Sequence, residues 1–374
     1  DALPISWDDA LKLNLYTRLA QRVLIELSHG FYRNENDLYR AVGSVPWEDW
    51  FHNQLTFKVD VTAQHSPLTS LNFATLRIKD AVVDRFRDMT GERPSIDTHF
   101  PGVRLHVHLT TEEFYVYIDT SGEPLFKRGW RVDKGDAPLK ETLAAAMIAA
   151  CGWTPETPFY DPCCGSGTIA IEAAQIACKI APGSQRRFGF QNLRPFQRAT
   201  WDNLVRQARS QELSLAERQK IKVFGSDVSF RMVDFANRNA ERAGVLDCIE
   251  FRGGDALQRM PPTQPGLMLV NPPYGERIEI AGVAGRSYEE NQGASFARHT
   301  GPGREQAQTE GDTDFFVQLA SHWKKNFSGW TAWMLTPDLK LPSKMRLKES
   351  RRVPMWNGPI ECRLFRFDLV AGSA

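Results

Sequence analysis

The chain has no run of about 18 consecutive apolar residues, the length a membrane-crossing helix needs. Its six cysteines form no C-x-x-C pair and make no zinc-spaced set with the eight histidines, which excludes a zinc ribbon or finger. Adjacent Cys163 and Cys164 cannot bond to each other without strain, so reduced thiols in the cytoplasm are expected. There is no excess of either charge: 46 Lys+Arg against 45 Asp+Glu leave a net +1. That balance gives no support to nucleic-acid binding, which usually needs a basic face. Also missing are G-x-G-x-x-G and G-K-[ST], the dinucleotide fingerprint and the phosphate loop. The opening "DALPISWDDALK" lacks both an initiator Met and the basic-then-apolar pattern of a signal peptide. A trimmed N-terminus or a missing preceding segment is expected.

What is present suits a globular protein of two domains: 374 residues, 42% hydrophobic and 24% charged. Up to about residue 130, short helical and strand patterns alternate. Asp8 to Arg18, "ENDLYRAV" and Leu76 to Phe86 carry helical spacing; "RVLIEL", "VRLHVHL" and "EFYVYID" read as strands. In "LTFKVDVTA", Leu55, Phe57, Val59 and Val61 alternate with polar residues, the mark of a half-buried strand. His106 and His108 of "HVH" share the polar side of their strand, a simpler reading than a metal site. A compact α+β domain results. Residues 131–138, "RVDKGDAP", read as a polar linker.

From Pro158 the rhythm becomes strand, glycine turn, helix. "PFYD", "KVFGSD", "CIEFRGGD", "GLMLV" and "GWTAWMLT" are the strands; "IAIEAAQIACKI", "RMVDFANRNAERAG" and Phe315 to Lys325 are helices between them. "WNGPIECRLFRFDLV" carries an Asn357-Gly358 hairpin signal. This pattern predicts an α/β, doubly wound parallel sheet ending on an antiparallel strand. Residues 281–312, rich in Gly, Gln, Glu and Arg, read as a mobile loop. Two basic runs stand out. Between Ser184 and Arg209 there are six arginines and one acid, Asp202; a second run lies between Lys340 and Arg352. Either could be a solvated helix face. In the first run, Phe188, Phe190, Phe196 and Trp201 interleave with the arginines, which suits a nucleic-acid surface or the packed side of an amphipathic helix.

Three strand ends carry the chemistry. In "DPCCGSGT", Gly165 and Gly167 let backbone N–H groups approach a ligand at the positive end of a helix. The leading Asp161 would repel a pyrophosphate but suits the ammonium of an amino acid. Asp227, ending "GSD", is placed for a ribose diol, and Asp255 of "GGDA" for the amino group of adenine. Amino acid, ribose and adenine at successive strand ends spell S-adenosylmethionine. The fourth strand runs into "NPPYGER". Exocyclic amines are poor nucleophiles because their lone pair is delocalised. Acceptors such as the Asn271 side-chain carbonyl and the Pro272 backbone carbonyl can bind the N–H groups and turn the lone pair toward a methyl donor. Pro272 and Pro273 stiffen the turn, and Tyr274 offers a stacking face worth about 1–3 kcal/mol for a flipped base. No metal is required.

"DPCCGSGT", "GSD", "GGDA" and "NPPYGER" resemble the class I motifs of the THUMP-domain RNA methyltransferases, and "APLKETLAAAM" is similar to the helix before their glycine turn. Nearly the whole chain is covered, with closest likeness to bacterial enzymes that methylate N2 of a guanine in large-subunit ribosomal RNA. The resemblance implies a Rossmann-like methyltransferase domain at 139–374, THUMP at 51–130, and the end of a ferredoxin-like unit in 1–50. It implies cofactor contacts from Lys140, Glu141, Thr142, Asp161, Cys163, Gly165, Gly167, Thr168, Asp227, Asp255, Ala256 and Asn271, and catalytic roles for Asn271, Pro272, Pro273 and Tyr274. Ribosomal RNA, naked or in an assembling subunit, would be the partner. Cys163 departs from the Met or Phe more usual there, and the 281–312 stretch is longer than the family leads one to expect. "NPPY" is shared with adenine-N6 DNA methyltransferases and protein-glutamine methyltransferases; the Gly275-Glu276-Arg277 extension with THUMP favours RNA guanine. The alternatives are an adenine-N6 DNA methyltransferase and a non-catalytic RNA-binding protein. Asp161 disfavours a nicotinamide-dependent oxidoreductase.

Overall fold

Alternating burial builds the first sheet. In the computed structural model, which describes residues 6–135, 138–272 and 310–370, the chain divides into two units. One takes the residues up to Arg128 and the segment Ala181–Gln211; the other takes Gly129–Ile180 and everything from Glu212. The first unit holds a four-stranded sheet of β1 (Leu24–Phe31), β2 (Phe57–Ala63), β3 (Val103–Leu109) and β4 (Glu113–Asp119), in the order β1-β4-β3-β2. Only β2 and β3 run parallel. Val103, Leu105, Val107 and Leu109 face the core while Arg104, His106 and His108 lie on the half-buried face, as the period of two requires. His108 meets the Thr62 hydroxyl at 2.9 Å and His106 the Asp119 carboxylate at 3.3 Å; both are partnered within the sheet.

Helices α1 (Trp7–Tyr16), α2 (Glu35–Ser44) and α3 (Leu71–Thr90) complete this unit's main segment. Each starts on a side chain that accepts an otherwise orphaned backbone N–H: Ser6, Asn34 and Ser70. Ala181–Gln211 lies within the 139–374 range, where the long spacing from Asp161 to Asp227 points to an inserted segment around residues 184–209, and it folds with this unit. The reason is its aromatic side. Phe188 and Phe190 stack with centroids 5.0 Å apart, and Trp201 meets both edge-on at 5.3 and 4.9 Å. All three are buried in the same core as Val107 and Val116. The Arg186 guanidinium donates to the carbonyls of Ser121, Glu123, Pro124 and Lys127, and burial lowers its pKa to about 10. Gly189 lies against Gly122, where a Cβ on either would come within 2.9 Å of the other's nitrogen.

The second unit is a seven-stranded sheet in the order β10-β11-β9-β8-β5-β6-β7. Its strands are β5 (Phe159–Asp161), β6 (Val223–Asp227), β7 (Ile249–Gly253), β8 (Leu267–Val270), β9 (Thr331–Thr336), β10 (Arg351–Asn357) and β11 (Ile360–Asp368). β5 to β9 are mutually parallel, and the hairpin of β10 and β11 adds antiparallel strands. Gly358, at φ 64°, makes the expected turn. Helices α4 (Glu141–Cys151), α5 (Thr168–Ala177), α6 (Phe230–Arg242) and α7 (Glu310–Asn326) flank the sheet. All four residues of β8 are buried: Leu267 and Leu269 in the core with α5, Met268 and Val270 in the core with α7. A strand covered on both faces reads as a continuous apolar run, which is why "LMLV" shows no alternation. α7 begins at Glu310, so the last residues of the expected 281–312 loop are helical; the rest of that loop lies outside the described residues. Among the described residues no helix is long and apolar enough to cross a membrane.

Candidate active site

Chain order reverses between β5 and β8, which lie side by side. In open α/β sheets the crevice at the carboxyl ends of such strands is where ligands bind. Asp161 ends β5, and Asn271 follows directly on β8. A cavity of about 410 Å³ opens here. Its lining includes Asp161, Cys163, Gly165, Thr168, Asp227, Asp255, Ala256, Asn271 and Pro272 from the sequence-derived set. Lys140, Glu141 and Thr142 do not line it: Lys140 is exposed at the start of α4, and Glu141 and Thr142 are buried behind the glycine turn. Pro273, Tyr274 and Gly275–Arg277 lie outside the described residues.

Of the two turn glycines Gly165 lines the cavity, while Gly167, also expected there, is buried and does not. Gly165 and Gly167 take φ of 52° and 90°, where side-chain-bearing residues are strained. A Cβ on Gly167 would also sit 3.0 Å from that of Ala236 and 3.2 Å from the Phe251 ring. The turn is tied to β6 by the Cys164 N–H donating to the Ser226 carbonyl and the Gly165 N–H donating to Asp227 Oδ2, both at 2.9 Å. Asp227 Oδ1 accepts from the Ser229 N–H at 2.9 Å, and Asp255 Oδ1 from the Leu257 N–H at 2.9 Å. These two carboxylates are therefore fixed by backbone donors, each oxygen keeping acceptor capacity for a ligand.

Asp161 is different. It is 1% exposed and accepts only a long 3.3 Å bond from the Cys163 N–H, with no cation paired to it among the described residues. Burial pushes its carboxyl well above the usual carboxylate range, with the Asp227 charge adding to the rise. Burial raises Asp227 as well, opposed by its two N–H donors. The thiols of Cys163 and Cys164 are pushed up by burial and by the neighbouring carboxylates, which disfavours their thiolates. With Asp161, Asp227 and Asp255 around one cavity, against Lys134 and Arg231, the site suits a ligand carrying positive charge. Asn271 supplies the second unsatisfied group: among the described residues its buried Oδ1 has no hydrogen-bond partner. An orphaned acceptor costs about 1–3 kcal/mol until a donor arrives. A buried carboxylate without a cation and a buried carbonyl without a donor fit a ligand with an ammonium at one end and an amine presented at the other.

Arg131 was missed, being counted with the linker. Its guanidinium donates to Glu141 Oε1 and Thr168 Oγ1 at 2.8 Å, Leu139 O at 3.1 Å and Ser166 Oγ at 3.3 Å. It thus locks α4 to the glycine turn. A carboxylate opening the otherwise apolar "ETLAAAMIAAC" was the available signal, because a glutamate 2% exposed requires a buried cation. Burial raises the Glu141 pKa despite the pull of Arg131. Met232 and Phe235, at helical spacing on α6, also line the cavity. A second hollow of about 350 Å³, bounded by Tyr160, Phe224, Glu250, Arg252 and Arg259, contains none of the strand-end aspartates.

This strand order, with an acid closing each of three adjacent strands around a glycine turn, places the second unit in the Rossmann-like methyltransferase class. Residues 128–316 match the family model of the RMKL-like methyltransferase domain, and residues 32–119 match the THUMP domain. The chain belongs to the RMKL-like methyltransferase-domain family. It is similar to the ribosomal RNA large subunit methyltransferase K/L of Shewanella baltica (strain OS195), 38% identical over 367 residues, 97% of this chain and 48% of that protein. The Shewanella oneidensis protein of the same name is 37% identical over 366 residues, again 97% of this chain and 48% of its own. The chain therefore spans about half the length of the curated relatives it matches. Among solved structures, SMU.472, a candidate methyltransferase complexed with SAH, superposes with a TM-score of 0.79 at 25% identity over 98% of this chain and 88% of that one. A predicted N6-adenine-specific DNA methylase from Listeria monocytogenes gives 0.78 at 26% identity, over 96% and 85%.

Proposed function

We propose that the chain is the part of a large-subunit ribosomal RNA methyltransferase that methylates N2 of a guanine, using S-adenosylmethionine, in the cytoplasm. The observation that carries the reading is the buried Oδ1 of Asn271 at the end of β8, without a partner among the described residues, in the cavity that also holds Asp161. When bound, S-adenosylmethionine supplies a methyl group on a sulfonium that leaves as a neutral thioether. Asp161 pairs with the ammonium, Asp227 accepts from the ribose hydroxyls, and Asp255 with Ala256 receives the adenine. Asn271 Oδ1 and the Pro272 carbonyl accept the two N–H groups of the guanine amine, which orients its lone pair for in-line attack; the methylated amine then loses one of these protons to solvent. Pro273 and Tyr274 carry over by sequence motif, as the rigid turn and the stacking face. The THUMP match and the K/L relatives favour ribosomal RNA, as naked chain or assembling subunit.

The test is methyl transfer from labelled S-adenosylmethionine to unmodified large-subunit ribosomal RNA, with duplex DNA alongside, followed by nucleoside mass spectrometry. N2-methylguanosine from the RNA is expected. N6-methyladenine from the DNA would replace this reading with the one suggested by the Listeria neighbour. Binding of RNA and cofactor without any product would leave a non-catalytic RNA-binding role.

A further inference from the structure

The excursion Ala181–Gln211 leaves the catalytic unit's sequence and folds with the first unit, and packing accounts for only half of its composition. Its aromatics are used inward, and of its six arginines Arg186 is drawn into the fold, donating to four carbonyls of the first unit, while Arg198 and Arg206 bond within their own helix, to Asp202 and Asn203. Arg187, Arg194, Arg198, Arg206 and Arg209 are exposed. Within helix Arg198–Ser210 the buried side is Trp201 and Ala208. Positions 198, 206 and 209 fall within a quarter-turn of one another at 3.6 residues per turn, forming one stripe beside that side. At 1.5 Å per residue the stripe is about 16 Å long. Asp202 lies in the same stripe and pairs with Arg198 at 3.3 Å, yet the Arg198 side chain stays 82% exposed. Among the described residues no carboxylate forms an ion pair with Arg187, Arg194, Arg206 or Arg209. In a chain of net charge +1, exposed arginines along one helix face repel one another, and a single carboxylate, Asp202, offsets them there.

We propose that this arginine face is a phosphate-backbone contact surface for the substrate RNA, carried by the first unit. The inference rests on the RNA reading above. Guanidinium forks match phosphate oxygens bidentately, which favours a phosphate polyanion over an acidic peptide and accounts for arginine in a run that contains no lysine. Contacts of this kind fix register and add affinity without reading sequence.

The test is binding of a large-subunit ribosomal RNA fragment to the full chain across 50–200 mM salt. Wild type is compared with the combined Arg194→Ala, Arg198→Ala, Arg206→Ala, Arg209→Ala variant and with the matching Arg→Lys variant. Each arginine on a phosphate contributes about 0.7–0.9 to the slope of log K against log salt. The alanine variant should lose roughly 3 from the slope, equal to about 60-fold less salt sensitivity over that range. The lysine variant should keep the wild-type slope, and S-adenosylmethionine affinity and melting temperature should not change. Single alanine variants, each losing up to one unit of slope, repeat the test with a minimal change of charge. An alanine variant with wild-type slope and affinity, in a protein that does methylate RNA, overturns the proposal and leaves the functional reading standing. Slope loss in a protein that transfers no methyl to RNA supports the face and removes the functional reading. Wild type that binds no RNA overturns both, and an acidic protein retained by the face in its place would identify the other class of partner.

Discussion

Asn271→Ala separates a catalytic acceptor from a structural one. Among the described residues no donor reaches the buried Asn271 Oδ1, a desolvation cost of about 1–3 kcal/mol. Removing the amide relieves that cost and forfeits some packing, and the two terms nearly cancel. Stability should change by less than about 1 kcal/mol, which for the second unit is a shift of roughly 2–4 °C at most. Turnover should behave otherwise. An acceptor aimed at the amine only in the reacting complex is worth about 2.7–4 kcal/mol, so kcat should fall roughly 10²–10³-fold. Cofactor affinity should hold, because Asp161, Asp227 and Asp255 are untouched. The assay is single-turnover methyl transfer at saturating RNA, paired with calorimetric titration of S-adenosylmethionine and thermal unfolding. Unaltered turnover would remove Asn271 from the chemistry. A fall in melting temperature of 10 °C or so would make it a structural residue whose kinetic effect is secondary.

Three further changes have definite signs. Asp161, held protonated to unusually high pH by burial, must ionise to pair with a cationic ligand, so cofactor binding releases a proton. Affinity should rise with pH up to the raised pKa, by as much as tenfold per unit, then level off; Asp161→Asn should bind weakly with a flat profile, as read by titration in buffers of different ionisation heat. Arg131→Met strands the Glu141 carboxylate in the core and should cost about 3–5 kcal/mol in denaturant unfolding, while adding Glu141→Gln should restore part of it. Phe190→Ala empties the middle of the Phe188–Trp201 cluster and should cost about 3–5 kcal/mol, seen by hydrogen exchange as lost protection in β3 and β4 with α5 and β8 unchanged.

Legibility in the sequence followed the range of the forces involved. β3 and β4 could be read because alternation is local, and the site motifs because a turn after a strand is a matter of a few adjacent residues. Asp161, Asp227, Asp255 and Asn271 do converge on one cavity, as successive strand ends of a doubly wound sheet must. What escaped depends on distant partners. Nothing near Lys140–Thr142 shows that Lys140 is exposed while Glu141 and Thr142 are buried, and nothing near Arg131 shows that a linker residue reaches Thr168. The aromatics at 188–201 suited a nucleic-acid surface as well as a packed helix side, and only the distant core that takes them decides for packing.

That last feature bears on how such proteins can be taken apart or recombined. A gene fragment ending at residue 130 would encode the first sheet without Phe188, Phe190 and Trp201, leaving part of its core open to water. The complementary fragment would carry those rings as an unpaired, aggregation-prone insert between α5 and β6. Exchange of the first unit between relatives of this fold must therefore move two separated stretches of sequence together, and a single crossover near the linker would yield two defective halves.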